Sequence, residues 1–476
     1  MDPITEAFDP EAFRRDGHKM VDALADYLAK AESRDIPVVP AAPPEELVSR
    51  WPAGFPEDPA GGIDDLTARI AAASCHMHHP RCTGHQVAAP LPRAALIDMA
   101  VSLLNNSAAV YELSPLNTAM ERAAVRWMAG LLGFGEGADG VLTSGGSAGN
   151  LTALLAARQA KAGFDIWKEG NGPKLAVLVS AQAHYSVKRA AQIMGWGKGG
   201  AVEVACGPEC RMSTAALEEA YAAADREGYK IVAVAANACS TATGTYDRLG
   251  AVADFCEKRG LWLHVDGAHG ASAALVEEYR HLLKGVERAD SVVWDAHKMM
   301  MLPSLITAVI FKDGRRSYEA FSQQASYLFQ GEARDEWYNF AQRTLECTKR
   351  ALGVTLYGSL ALHGTRVFAE HVRRSYGLAR SFARMIRAEK GFELAVEPES
   401  NIVCFRYVGS GRGDLDRLQA AVRRRILSGE KFYLVQTQLP TGVFLRCALM
   451  NPLTTEEDLA ALLREVRAAA QAEQAG

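Results

Sequence analysis

Between about residue 120 and residue 310, short apolar runs alternate with helical stretches, and this alternation constrains the fold more than any other feature of the chain. The runs Leu175–Val179, Ile231–Ala235, Leu261–Val265, Val292–Trp294 and Leu305–Phe311 are too short for buried helices and read as strands covered on both faces. Helical patterns at 151–161, 186–194, 214–226 and 249–259 lie between many of them. Parallel neighbours need crossover connections of that kind, so the pattern predicts a mainly parallel sheet with helices on both faces.

Either side of this region the pattern changes. Residues 9–30 read as an amphipathic helix, with Asp9 as N-cap, Pro10 at the first helical position, and Phe13, Met20, Val21, Leu24, Tyr27 and Leu28 at three- and four-residue steps. Ile36-Pro37-Val38-Val39-Pro40 and Pro43-Pro44 break it and read as a linker or arm. A helix tethered in this way needs another surface for its apolar stripe, and a partner subunit is the natural one. After about residue 350 a long helical stretch leads to strand candidates at Phe392–Val396, Ile402–Tyr407 and Val443–Leu449, flanked by helices near 414–427 and 456–473. Thr454-Thr455-Glu456-Glu457 reads as a capping box for the last helix. The expected division is an N-terminal helical arm over 1–95, a large domain over 96–350 and a small α+β domain over 351–476.

Composition excludes several classes. The net charge of −4 over 476 residues carries no basic footprint for nucleic acid. Nine irregularly spaced cysteines are too sparse for a disulfide scaffold and read as reduced thiols. The start Met1-Asp2-Pro3-Ile4-Thr5-Glu6 has neither the basic nor the apolar part of a secretory signal, and no apolar run approaches a membrane span. A soluble cytoplasmic protein is expected.

Three segments carry chemistry. Asp295-Ala296-His297-Lys298 follows the apolar run at 291–294. A lysine at the end of a core strand is unusual, because desolvating an ammonium is costly, and a burial-depressed pKa would make it nucleophilic. Taken alone, a lysine already back in solvent is the better reading. Leu263-His264-Val265-Asp266-Gly267-Ala268-His269-Gly270 puts an acid at the carboxyl end of another strand, where open α/β sheets bind ligands. Alone, Asp266 reads better as a strand-terminal cap. Thr143-Ser144-Gly145-Gly146-Ser147-Ala148-Gly149-Asn150 opens a helix, and glycines there let backbone N–H groups approach a phosphate. It is neither a Walker A loop nor a GxGxxG, and a plain turn remains open. Together, a phosphate cup, a strand-end carboxylate and a nucleophilic lysine are the parts that hold pyridoxal 5'-phosphate.

In this order and spacing the motifs resemble those of the group II pyridoxal-phosphate-dependent amino-acid decarboxylases, in particular the glutamate, cysteine-sulfinate and aspartate decarboxylase branch. The resemblance runs from His79-Pro80 to Asn451-Pro452. It implies the fold type I (aspartate aminotransferase-like) architecture: a large domain with a mainly parallel seven-stranded sheet, a helical arm and a small α+β domain. It implies Lys298 as the Schiff-base lysine, His297 before it as a cofactor contact, Asp266 on the pyridine nitrogen and Ala268 packed by the ring. It places Gly146 and Ser147 on the phosphate, His184 of Ala183-His184-Tyr185-Ser186 on the ring face, and Thr241 on the cofactor. Tyr327, in Ser326-Tyr327-Leu328-Phe329-Gln330, becomes the proton donor to Cα, with His184 nearby.

Three departures stand out. Cys239-Ser240-Thr241 replaces a common Gly-Thr-Thr, and His269 stands where a tyrosine is common. Leu345-Glu346-Cys347-Thr348-Lys349 sits where acidic-substrate enzymes usually carry Cys-Gly-Arg, so Lys349 becomes the candidate holder of a substrate carboxylate. Cys75-His76-Met77-His78-His79-Pro80-Arg81-Cys82-Thr83-Gly84-His85 is dense in metal-ligand types but matches no standard zinc spacing. The plainer reading is pocket wall and packing, with His85 as a candidate substrate contact and no metal.

The resemblance implies loss of CO2 from an L-amino acid to give the amine, with a lean to aspartate, cysteine sulfinate, cysteate or glutamate. It also implies a homodimer with the active site at the interface, and neither nucleic acid nor membrane as a partner. The alternatives are a decarboxylase of diamino, aromatic or phosphonate amino acids, an oxygen-consuming aldehyde synthase, a carbon–carbon lyase or racemase on the same cofactor, and a silent regulatory or metal-binding protein.

Overall fold

The computed structural model describes residues 2–40, 42–51, 53–57, 61–321, 336–409 and 413–475. The chain forms two compact units. One comprises Met1–His85, Ser381–Ala395 and Cys404–Gly476, and the other Gln86–Arg380 and Val396–Val403.

In the second unit, seven strands of the described residues form one sheet: β1 Asp139–Thr143, β2 Leu175–Ser180, β3 Ala201–Val204, β4 Lys230–Asn237, β5 Trp262–Asp266, β6 Ser291–Asp295 and β7 Thr307–Phe311. Their order is β1-β7-β6-β5-β4-β2-β3. β6/β5, β5/β4, β4/β2 and β2/β3 pair in parallel, and β7 runs antiparallel between β1 and β6. This is the mainly parallel seven-stranded sheet expected of fold type I. Every residue of β2, β5, β6 and β7 is buried, which is why these strands appear in the sequence as nearly continuous apolar runs, with His264 of β5 as the interior exception. Val177, Val179, Ala233, Val293, Val309 and Phe311 meet Ala153 and Leu154 of the helix Gly146–Lys161 in one core.

Two strands of this sheet escape the apolar-run criterion. β1 begins Asp139-Gly140, and its glycine is required: a Cβ there would lie 2.1 Å from the Val309 carbonyl oxygen on β7. β3 is a four-residue edge strand with only its last residue buried. The run Leu305–Phe311 forms strand only from Thr307.

The first unit holds a four-stranded sheet in the order β10-β11-β9-β8, with β8 Phe392–Leu394, β9 Ile402–Tyr407, β10 Val435–Leu439 and β11 Gly442–Ala448. β10 alternates buried and exposed residues, so Val435-Gln436-Thr437-Gln438-Leu439 never forms an apolar run. The N-terminal helix spans Pro10–Ser33, and Asp9 caps it by accepting the N–H groups of Glu11 and Ala12. The capping box of the last helix, Glu456–Ala475, lies one residue later than expected. The Thr455 hydroxyl accepts the Asp458 N–H at 3.3 Å, and the Asp458 carboxylate accepts the Thr455 N–H at 3.2 Å. No helix among the described residues is long and apolar enough to cross a membrane.

Candidate active site

The parallel strands β4, β5 and β6 end on buried polar residues, Asn237, Asp266 and Asp295. A cavity of about 360 Å³ opens beside these ends, within the roughly 300–1,000 Å³ usual for ligand pockets. Lys298, Asp266, His184, Gly146, Ser147, Thr241, Ala268 and His297 all line it, so eight sequence-selected residues from five separate chain segments converge on one space.

Each position has a local cause. Gly145, at φ +108°, turns the chain from β1 into the helix Gly146–Lys161, a conformation that favours glycine. A Cβ on Gly146 would lie 3.2 Å from an Asp295 carboxylate oxygen, so the absent side chain keeps the helix start open to the cavity. His184 caps the helix Tyr185–Ile193, its Nδ1 accepting the Ser186 N–H at 3.3 Å. Asp266, at the end of β5, accepts the Ala268 N–H at 3.2 Å and the Asn150 amide at 3.0 Å.

Lys298 lies three residues past β6, and its Nζ is 2.8 Å from Asp295 Oδ2. Here the sequence expectation of a depressed pKa is corrected. Burial does push the lysine down, but the Asp295 carboxylate, with Asp266 behind it, more than offsets this and holds Lys298 above its ordinary value. The same pair works in reverse on Asp295: burial would raise its carboxyl, and Lys298 and His297 hold it below the usual range. Thr307 Oγ1 donates to Asp295 at 2.6 Å and fixes its orientation. His297 Nδ1 is 2.9 Å from the Ile306 carbonyl oxygen. Burial lowers the pKa of His184.

Neither residue selected for substrate is among the described residues lining this cavity. The Lys349 ammonium is buried 2.7 Å from Glu121 Oε1 and donates to the Leu142 carbonyl at 3.0 Å. Glu121 is fully buried and also accepts the Leu142 N–H at 2.8 Å. The charge of Lys349 is thus matched inside the fold, which corrects its assignment as holder of a substrate carboxylate. His85 belongs to the first unit, is exposed, and packs its ring 5.8 Å from that of Tyr433. Tyr327 lies outside the described residues. In the cysteine–histidine segment, His76 Nδ1 is 3.2 Å from the Tyr27 hydroxyl and His79 Nδ1 accepts the Arg81 N–H at 3.0 Å. Among the described residues no group of three or more potential ligands is arranged to hold a metal.

Sequence reasoning missed Asp295 as the partner of Lys298. It also missed Asn150 and Ser186, which join Asp266 to His184, and His264, which holds Asn150. One signal was available: His264 and Asp266 stand two apart on a strand and so share a face.

The donor set fits pyridoxal 5'-phosphate. A helix N-terminus without intruding side chains, bearing the Ser147 hydroxyl, suits a phosphate, and a buried carboxylate suits a protonated ring nitrogen. The Pyridoxal-dependent decarboxylase conserved domain matches residues 44–408. The acidic amino acid decarboxylase GADL1 of Homo sapiens is 30% identical over 482 residues, covering 98% of this chain and 92% of that protein. The cysteine sulfinic acid decarboxylase of Homo sapiens is 31% identical over 406 residues, covering 82% and 81%. The crystal structure of mouse CSAD superposes with a TM-score of 0.89 at 26% identity, covering 97% of this chain and 99% of that one. With the family domain matched over most of its length, the chain belongs to the pyridoxal-phosphate-dependent amino-acid decarboxylases.

Proposed function

We propose that the chain removes the α-carboxylate of a small L-amino acid with an acidic side chain, such as aspartate, cysteine sulfinate, cysteate or glutamate. The observation that carries the reading is the convergence of Lys298, Asp266, His184 and the Gly146–Ser147 helix start on one cavity. The acidic class is supported by two relatives whose names specify acidic amino acids, one of them aligned along nearly the whole chain.

When bound, pyridoxal phosphate supplies an aldehyde that links to an amine and a ring that takes up the electron pair left by departing CO2. Lys298 is the amine that would anchor it. The N–H groups at the start of the helix Gly146–Lys161, with Ser147 and His297, would hold the phosphate. Asp266 would accept the ring N–H in a charge-assisted hydrogen bond, keeping that nitrogen protonated. Ala268 and His184 would pack against the ring, and Thr241 would add a contact. Holding the substrate so that its Cα–carboxylate bond stands perpendicular to that plane is the protein's main lever on rate. The Asp295 carboxylate takes part in placing the Lys298 proton. On the sequence alone, Tyr327 returns a proton to Cα, with His184 beside it. The balance is one C–C bond broken, one C–H bond formed, and one proton consumed for each CO2 and amine released.

The chain is further proposed to act as a cytoplasmic homodimer with its active site at the subunit interface. All nine cysteines are free, as a reducing compartment favours. The helix Pro10–Ser33 leaves Phe13, Met20, Val21 and Leu24 exposed, a stripe suited to a second copy. Sedimentation at micromolar concentration tests the dimer.

The deciding experiment incubates the holoenzyme with a panel of acidic, aromatic and basic amino acids and measures amine mass, CO2 and oxygen uptake. Equimolar amine and CO2 from an acidic substrate, without oxygen uptake, is expected. Preference for an aromatic or diamino acid overturns the substrate class, and an aldehyde formed with oxygen uptake overturns the reaction.

A further inference from the structure

Beneath the cavity runs a chain of buried hydrogen bonds whose direction is set at both ends. Trp262 Nε1 can only donate, and does so to Ser291 Oγ at 2.9 Å. Ser291 Oγ lies 2.9 Å from His264 Nδ1, to which it donates once His264 carries its proton on Nε2. His264 Nε2 lies 2.9 Å from Asn150 Oδ1, and Asn150 Nδ2 lies 3.0 Å from Asp266 Oδ2 and 2.9 Å from Ser186 Oγ. Ser186 Oγ in turn lies 2.7 Å from His184 Nδ1. All of these side chains except His184 are buried, and His264 is wholly inaccessible.

A carboxylate only accepts, so the Asn150 NH2 faces Asp266 and its Oδ1 faces His264. His264 therefore carries its proton on Nε2. Burial holds its pKa down to about 4, so the ring is neutral at pH 7 and one tautomer satisfies both neighbours. The second Asn150 N–H takes one lone pair of Ser186 Oγ, and the Ser186 hydroxyl proton is left for His184 Nδ1. His184 Nδ1 also receives the Ser186 backbone N–H, so it is an acceptor and the proton of neutral His184 sits on Nε2.

We infer that Asn150, oriented by His264, is a positioning residue whose single amide sets both the Asp266 carboxylate under the cofactor ring and the proton-bearing nitrogen of His184. The inference rests on Asp266 facing the ring nitrogen. It goes further in tying two separate jobs to one side chain: grip on the cofactor through one N–H, and the tautomer of the proton-handling imidazole through the other. A flipped amide would set Oδ1 against the carboxylate, and the Nε2 proton of His264 is what opposes that flip.

Two measurements on apoenzyme test this without turnover: the cofactor dissociation constant by absorbance titration, and histidine tautomers from 15N spectra. Asn150→Leu should weaken cofactor binding by about ten-fold or more, the scale of a lost hydrogen bond to a charged group, and should release His184 into mixed tautomers. Ser186→Ala leaves Nδ1 only the longer backbone N–H at 3.3 Å, so it should loosen the His184 tautomer in part while leaving cofactor affinity at the wild-type value, a split that a merely structural role would not produce. Wild-type affinity in Asn150→Leu, or equal weakening in both variants, overturns the inference. Asp266→Ala separates the two layers. Wild-type affinity there overturns the Asp266 assignment itself, whereas weak binding there beside normal binding in Asn150→Leu overturns only the role of Asn150. Should Asn150→Leu not fold, the unmodified protein still decides: both His184 and His264 should be neutral with the proton on Nε2 at pH 7, and Nδ1–H at either one overturns the inference.

Discussion

The Lys298 ammonium and the Asp295 carboxylate, 2.8 Å apart, move each other's proton affinity in opposite directions, the lysine up and the acid down. An amine kept protonated is not a nucleophile, so Asp295 delays the attack of Lys298 on the cofactor aldehyde until a proton is moved. Asp295→Asn removes the charge and keeps the shape. Burial is then opposed only by weaker charges such as Asp266, and the pKa of Lys298 falls. The check is the pH dependence of covalent cofactor capture by apoenzyme, fixed with borohydride and mapped to the peptide containing residue 298. The midpoint should move to lower pH, and an unmoved midpoint would show that Asp295 does not govern the lysine.

Lys349 and Glu121 form an ion pair sealed in the core, with side chains 2% and 0% exposed. Breaking such a pair by removing one partner costs about 3–5 kcal/mol, because the other charge is left buried and uncompensated. Lys349→Met should lower the denaturation midpoint accordingly, and Glu121→Gln added to it should recover a large part of the loss. Protein that still folds should show an unchanged KM for its amino-acid substrate. A raised KM with unchanged stability would return Lys349 to the substrate.

These two pairs mark where the sequence is legible and where it is not. The sheet shows in the chain because β2, β5, β6 and β7 are buried on both faces and are mostly apolar, their polar residues lying at strand ends apart from His264. Lys298, Asp266 and His184 show because short motifs at strand ends bring chemistry and topology together. Partners far apart in the chain do not show: Lys349 and Glu121 are 228 residues apart, and Asn150 and Asp266 are 116 apart. A lysine such as Lys349 looks the same in sequence whether its charge faces a cavity or a core glutamate. Edge strands such as β3 and β10 fail for another reason, since a half-wet strand needs no apolar run.

In the first unit, Asp458 caps the last helix and binds two arginines, with Arg34 Nη2 at 2.7 Å and Arg81 Nε at 3.0 Å. Burial would raise its carboxyl, but the hydrogen bonds from Arg34 and Arg81 outweigh that and hold it at about 2. The folded value lies below the unfolded one, so the contribution to stability is present above about pH 4 and is lost as pH falls from there through about 2. With both guanidinium groups near one-third exposed, about 1–2 kcal/mol is expected after screening. Asp458→Asn should therefore unfold at lower urea than wild type at pH 7, with the gap closing progressively below pH 4. A gap independent of pH would assign the loss to the cap geometry and not to the charge.

Gly149 sets how closely the helix Gly146–Lys161, whose start lines the cavity, lies on the sheet. A Cβ there would meet Thr307 Cγ2 and a Val293 Cγ methyl at 3.2 Å, tighter than ordinary contact. Two effects compete in Gly149→Ala. Helix propensity favours alanine by about 1 kcal/mol, while overpacking a close-packed core costs about 1–3 kcal/mol. The opposing atoms belong to fully buried strands, β6 and β7, which have little room to give, so the cost should win and the helix should lift. Because that helix begins at the cavity, its displacement should weaken cofactor binding as well as lower the melting temperature. Val293→Ala makes space for the added methyl. In the Gly149→Ala/Val293→Ala double variant, cofactor affinity should return toward wild type even though stability stays reduced by the lost valine methyls. Affinity that stays low in the double variant would mean that the glycine serves the backbone conformation at the helix start, and not the approach of helix to sheet.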